Sequence, residues 1–167
     1  MDTYTLRYQQ LVSLLLQRQQ TSYSLSQLQR DLKMALQYST PIRNAMLEAY
    51  ESTIGVSAKL RLYSGSVPAN PAATIGAAVL LVEMILPSDW AANAASGVKA
   101  LTGTWSGVAV AGAGATPTFF RIWDSTGTTC GIQGTAGIGA GDMQANGTIT
   151  TGQTVSVSSF TVTDGNP

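Results

Sequence analysis

The sequence predicts an α+β fold, in which an N-terminal arm of two to three helices precedes an antiparallel β-sandwich or jelly-roll-like domain. Composition is the first reason: residues 1–54 contain no glycine, and all 17 glycines lie at or after Gly55. Periodicity is the second: apolar residues recur at helical spacing before this point and in short alternating runs after it. Helices confined to one end favour α+β over a parallel βαβ fold. We therefore place a docking and oligomerisation arm at residues 1–55 and the β-domain at residues 56–167.

The first two predicted helices each carry a leucine-rich stripe. In the first, Tyr4, Tyr8, Leu11 and Leu15 follow spacings of four, three and four, which places them on one helical face. Leu14 and Leu16 widen this face beyond what one domain surface covers, so self-association is expected. The predicted interface residues are those of the two stripes: Tyr8, Leu11, Leu15, Leu25, Leu28, Leu32 and Leu36.

A third helix is predicted to begin at Thr40 and Pro41. Threonine is a frequent N-cap, and proline fits the first helical position because its missing N–H is not needed there. Gly55 is the expected stop. The helical spacing of its apolar residues predicts an inner face made of Ile42, Ala45, Met46, Ala49 and Tyr50.

Seven or eight short strands are predicted after Gly55. Residues 124–127 have the composition of a turn, so the two runs beside them should form a hairpin. The alternation of Val155 and Val157 shifts phase before Phe160, which indicates a bulge. The glycine-rich stretches 111–115 and 137–142 are predicted to be loops. The predicted strands are residues 59–63, 79–86, 97–101, 105–110, 119–123, 129–133 and 154–163.

The residue types present exclude several kinds of chemistry. The chain has no histidine and a single cysteine, Cys130, so it cannot form a Ser-His-Asp triad, a Cys-His pair or an intramolecular disulfide. Zinc sites built from histidine and cysteine are excluded as well. Four acidic residues of the β-domain show no spacing that predicts a catalytic pair: Glu83, Asp89, Asp124 and Asp142. We expect no enzymatic activity, no metal and no cofactor.

Membrane and nucleic-acid binding are both disfavoured. The longest apolar run, residues 77–84, is interrupted by Glu83, and spanning a bilayer requires about 20 apolar residues. Nine basic and nine acidic residues give a net charge of zero, so no basic footprint for phosphates is visible. If the arm were a helix-turn-helix motif, its second helix would offer only two basic residues for contacts with DNA phosphates, Arg30 and Lys33.

Three tryptophans leave two interpretations open. Trp90, Trp105 and Trp123 could stack on sugar rings as in a carbohydrate-binding module. Bulky side chains also fill the core of a small β-domain, and packing is the favoured interpretation.

Five stretches carry a resemblance to small structural proteins of tailed bacteriophages. They cover about the last three quarters of the chain and consist of turn and strand residues. The first forty residues depart from the pattern, which makes the arm a candidate for a specific docking device. The matching stretches are IRNAMLEAY at 42–50, LRLYSG at 60–65 with Pro68 and Ala69, FFRIWDSTG at 119–127, GIQGT at 131–135 and ITTGQTVSVSSFTV at 149–162.

The resemblance implies a virion component, assembled in the host cytoplasm. We expect a capsid decoration or cement protein that stabilises the particle through subunit contacts with major capsid protein, other virion proteins and further copies of itself. A trimer is expected because shells offer three-fold positions. One alternative is a neck, tail or baseplate component that attaches a fibre or adaptor, and a second is the carbohydrate-binding module.

Overall fold

A computed structural model of the chain describes residues 10–18 and 36–165. Contacts divide the chain into two compact units, Met1–Gln37 with Pro167, and Tyr38–Asn166. In the first unit, residues 10–18 are helical and are called α1 here. The second predicted helix lies outside the described residues. The third belongs to the second unit, together with the strands.

The second unit consists of one helix followed by ten strands. The helix, α2, has Ser39 at its N-cap, Pro41 in its first turn and Gly55 at its C-cap with a φ of 86°. The predicted stop at Gly55 is confirmed, and the helix begins at Thr40 as expected, but the prediction of Thr40 as its N-cap is wrong, because Ser39 occupies that position and Thr40 is already helical. The elements in order are α2 Thr40–Ile54, β1 Lys59–Ser64, β2 Val79–Ile85, β3 Val98–Ala100, β4 Trp105–Val108, β5 Ala113–Ala115, β6 Phe119–Trp123, β7 Cys130–Ile138, β8 Met143–Ala145, β9 Ile149–Thr150 and β10 Thr154–Thr163.

Most strands join one strongly curved sheet with the order β2-β1-β6-β7-β8-β10-β3. Strand β4 pairs with β10. Ala109, which directly follows β4, forms a bridge with Val82 of β2. The two edges of the sheet therefore lie close together, and the sheet nearly closes into a barrel. Within these ladders β7 and β8 run parallel and the other neighbours are antiparallel. Strands β5 and β9 form a separate pair. The prediction of an α+β chain with a mostly antiparallel β-domain is confirmed.

The interior of the curved sheet holds the hydrophobic core. Leu60 and Leu62 of β1 point inward and are buried, as the alternating pattern predicts. Trp105 lies at the centre of an aromatic group, with its ring centroid 6.0 Å from that of Trp90 and 5.8 Å from that of Phe160. Such edge and tilted contacts contribute beyond the area that the rings bury.

Two local predictions on strand pairing are confirmed. Strands β6 and β7 form the expected hairpin, in which the Asp124 amide donates to the Thr129 carbonyl at 2.9 Å. The register between β10 and β8 shifts between Val157 and Phe160, where the bulge was predicted. The predicted loops are shorter than expected, because β5 occupies residues 113–115 and β7 continues to Ile138.

Closure of the sheet depends on Gly107 in β4. A Cβ at this position would collide with the carbonyl oxygen of Glu83 and lie 3.1 Å from side-chain atoms of Val82 and Met84, all in β2. The absence of a side chain therefore allows β4 to approach β2 closely.

Candidate functional site

Helix α2 is attached to the β-domain by its polar face. The ammonium group of Lys99 in β3 lies 2.7 Å from a carboxylate oxygen of Glu48 and 3.1 Å from one of Glu51. Only 4% of Lys99 is exposed. Desolvation of a lysine is costly unless its charge is paired, and here two carboxylates pair with it.

Backbone groups of the segment before β3 add to this attachment. Glu51 accepts a hydrogen bond from the Trp90 amide at 3.0 Å, and Glu48 accepts one from the Ala94 amide. The side chain of Asn44 accepts from the Gly97 amide at 2.8 Å. Hydrogen bonds to ionised acceptors are the stronger kind, so these contacts position α2 as a rigid element.

The pKa values in this contact shift in the directions that pairing requires. The hydrogen bond from the Ala94 amide, followed by that from Lys99, holds the pKa of Glu48 below its ordinary value of 4.5. Burial alone would lower the pKa of Lys99, but its hydrogen bonds and charge interactions with Glu48 and Glu51 together outweigh burial and raise it. Both groups are therefore charged at neutral pH.

The predicted inner face of α2 is wrong, because it points away from the β-domain. Ile42, Met46 and Tyr50 are 49%, 43% and 40% exposed, while the neighbouring Leu47 is fully buried. Apolar spacing identifies a face of a helix but not what covers it, and here specific polar partners next to β3 determine which side is buried. We call the uncovered apolar surface the α2 outer face: Ile42, Ala45, Met46, Ala49 and Tyr50.

Helix α1 also exposes its leucines. Among the predicted interface residues, Leu11, Leu15 and Leu36 are 60%, 63% and 70% exposed. Leu14 and Leu16 are exposed as well. The interface made of these residues stays a prediction. The remaining predicted members lie outside the described residues: Tyr8, Leu25, Leu28 and Leu32.

A cleft of about 390 Å³ opens on the outer side of the β-domain. Residues 71–75 line one side, and Arg121, Trp123 and residues 128–130 line the other. The guanidinium carbons of Arg61 and Arg121 lie 5.1 and 5.5 Å from the centre of the Trp123 ring, which is within cation–π distance.

Arg121 connects the cleft to the loop between β1 and β2. Its Nη2 donates to the carbonyl oxygens of Asn70 at 3.0 Å and Ala73 at 2.8 Å, and its Nε donates to the side-chain oxygen of Gln133 at 2.8 Å. The Gln133 amide nitrogen in turn donates to the Pro68 carbonyl at 2.7 Å. A single buried side chain therefore holds one wall of the cleft in place.

The tryptophans divide between the core and the cleft. Trp90 and Trp105 are 2% and 0% exposed, so the packing interpretation is confirmed for both, and neither presents a ring face to a sugar. Trp123 is half-buried and lines the cleft.

Two of the acidic residues singled out in the sequence, Asp124 and Asp142, serve local structure. Asp124 accepts hydrogen bonds from Thr126 and Thr128, which hold its pKa well below the ordinary range, and Asp142 is bound in the same way by Thr135. Across residues 10–18 and 36–165, no group of three or more His, Cys, Asp or Glu residues could hold a metal ion.

None of the helical stretches in the described residues has both the length and the apolar character needed to cross a bilayer. Comparisons of the chain with protein-family models, with curated proteins and with solved structures find no match, so the similarity to phage structural proteins remains a prediction.

Proposed function

We propose that this chain is a non-enzymatic structural component of a tailed-phage virion, and that it acts as a capsid decoration or cement protein. The observation that carries the proposal is the α2 outer face. Five neighbouring residues of this helix are uncovered and largely apolar, while its opposite face is held by ion pairs and hydrogen bonds. A contiguous apolar surface on a firmly held element is typical of a protein-binding site.

The energetics of such a surface suit an assembled particle. Burial of apolar area contributes about 25 cal/mol per Å², and contacts repeated over many copies add through avidity. Because α2 is already held in place, binding does not have to order it first, so less of the contact energy is lost. With 11% charged residues and no net charge, the chain also has little electrostatic repulsion between copies.

The finer parts of the proposal concern architecture and partners. We propose major capsid protein and further copies of this chain as the partners, with the arm at residues 1–55 as the docking device and a trimer as the assembled state. The description of the β-domain as a sandwich or jelly roll belongs to this proposal too. The exposed leucines of α1 support a role of the arm in association.

Loading onto particles tests the proposal. Met46→Glu places a charge in the α2 outer face, and we expect it to reduce incorporation into virions strongly, because a buried unpaired carboxylate is costly. Val110→Glu is the matched control, since Val110 is also exposed, at 62%, but lies outside α2. If Met46→Glu loads as fully as the control, the α2 outer face is not the binding surface.

Copy number separates the shell from the tail. Many copies per particle, in proportion to the capsid protein, would support the decoration role. If each particle carries only as many copies as one ring of subunits holds, the decoration role is overturned in favour of a neck, tail or baseplate component.

A further inference from the structure

We propose that the cleft beside Arg121 and Trp123 binds a carboxylate carried on a short apolar stem. This site is separate from the α2 outer face, and its ligand is independent of where the protein sits in a particle. The inference rests on the charge of Arg121, on the atom that this side chain leaves available and on the lining of the cleft.

Arg121 is a buried cation that pairs with no carboxylate of the described residues. The whole residue is 1% exposed, yet all three of its hydrogen-bond acceptors are uncharged: two backbone carbonyls and the amide oxygen of Gln133. The ion pairs among the described residues involve Arg61 and Lys99 instead. A desolvated charge without a counter-ion is unfavourable, so an anion at this position would be stabilised.

One nitrogen of Arg121 remains available in the cleft. Nε and Nη2 donate the hydrogen bonds described above, while Nη1 has no partner among the described residues. Arg121 lines the cleft, although only 1% of the residue is exposed. A ligand oxygen that reaches Nη1 could therefore accept a hydrogen bond that no described residue now accepts.

The lining of the cleft points to a monoanion with an apolar stem. The positive charge of Arg61 is matched by Glu83 at 2.6 Å, which leaves the charge of Arg121 as the unmatched one of this pair. Ala72, Ile75 and the ring of Trp123 supply apolar surface next to it. Two sources share this chemistry: an acidic side chain of a partner polypeptide and a free small organic acid.

The indole N–H of Trp123 reports on the site in a ¹⁵N-labelled full-length chain. The chain has three tryptophans, so three indole signals are expected, and Trp123→Phe assigns the one of interest. We expect sodium propionate, at constant ionic strength, to shift the Trp123 signal saturably with a dissociation constant on the order of millimolar. The signals of Trp90 and Trp105, both buried in the core, should stay in place.

Propionamide is the matched neutral ligand and should cause no saturable shift. The proposal is overturned if propionate causes none, or if the amide acts equally well. Inorganic phosphate that binds more tightly than propionate would overturn the carboxylate class.

A peptide identifies the source of the carboxylate. Acetyl-Ala-Ala-Glu-Ala-Ala-amide that binds more tightly than propionate, with a glutamine version that does not bind, supports the site with a partner's acidic side chain as its ligand. A peptide that binds more weakly than propionate supports the site with a free organic acid.

Two variants assign the role to Arg121. Arg121→Lys keeps the charge but loses the guanidinium geometry, and we expect propionate to bind about tenfold more weakly. Arg43→Lys is the control, because Arg43 lies in α2 and does not line the cleft, and propionate should bind this variant as tightly as the parent chain. Equal losses in both variants would overturn the assignment to Arg121. Unchanged Trp90 and Trp105 signals verify the fold, and if Arg121→Lys does not fold, the comparison of propionate with propionamide still decides.

Discussion

Arg61 and Arg121 are direct partners in the ladder between β1 and β6, so two guanidinium groups of like charge face each other across neighbouring strands. Like charges in this position destabilise a sheet. The structure offsets the repulsion with the Trp123 ring, which both guanidinium groups contact, and with Glu83, which forms an ion pair with Arg61. The sheet therefore depends on Glu83 more than on an ordinary surface carboxylate.

Removing the Glu83 charge tests this dependence. We expect Glu83→Gln to lower the free energy of unfolding by about 1 to 2 kcal/mol, because a partly buried arginine loses its counter-ion beside a second arginine. Urea denaturation measures the change. Asp89→Asn is the control, since Asp89 is exposed and should give a change within about 0.5 kcal/mol. Equal effects of the two variants would show that the repulsion is negligible.

The closure of the sheet at Gly107 predicts a second effect. Gly107→Ala should destabilise the protein by about 1 to 3 kcal/mol, because the new methyl group collides with the Glu83 carbonyl and forces β4 away from β2. Thermal or urea unfolding measures it. Gly165→Ala adds the same methyl group where it has no neighbour within 4 Å, so it should leave stability unchanged. If Gly107→Ala leaves the free energy of unfolding unchanged, β4 and β2 do not approach each other as closely as the structure shows.

Adjacent residues of α2 test which side of the helix is buried. Leu47→Ala should cost about 2 to 5 kcal/mol, since Leu47 is fully buried, whereas Met46→Ala should change stability by no more than about 0.5 kcal/mol. Both substitutions introduce alanine, a good helix former, in place of a residue of similar helix propensity. Differences in helix propensity therefore do not affect the comparison. If Met46→Ala destabilises the protein more than Leu47→Ala, the buried side of α2 is the one that the sequence predicts.

Acid should weaken the attachment of α2. The pKa of Glu48 is lower in the folded protein than its ordinary value of 4.5, so its stabilising contribution is present above pH 4.5 and is lost as the pH falls through the folded-state pKa. Lys99, whose pKa is raised, stays charged throughout this range. We expect the stability difference between the parent chain and Glu48→Gln to be largest near neutral pH and to shrink as the pH falls below 4.5. Urea denaturation across this range measures it, and a difference independent of pH would contradict the assignment.

Much of the fold could be predicted because it depends on local signals. Proline and glycine at the two ends of α2 act through backbone geometry alone, and the alternation in β1 reflects the pleat. The sequence does not predict the strands β5, β8 and β9, because runs of two or three residues are too short to show an alternation of apolar and polar side chains. The parallel pairing of β7 with β8 and the closure through Gly107 have no local signal, because they depend on which strands meet in space.

The site was harder to predict for the same reason. The Arg121 cleft combines β6, the turn after it and a loop that precedes β2, and nothing in the sequence indicates that Arg121 is buried. The orientation of α2 was mispredicted because the partners of its polar face are mostly backbone N–H groups near β3, which no side-chain pattern reveals.

Helix α2 keeps its two tasks on different residues. Glu48, Glu51 and Asn44 secure it, whereas Ile42, Met46 and Tyr50 face outward. Substitutions among the outward residues can therefore alter what the helix recognises without loosening it, and the attachment can be strengthened without changing recognition. A chain built in this way can acquire a new binding preference through few amino-acid changes while its scaffold stays intact.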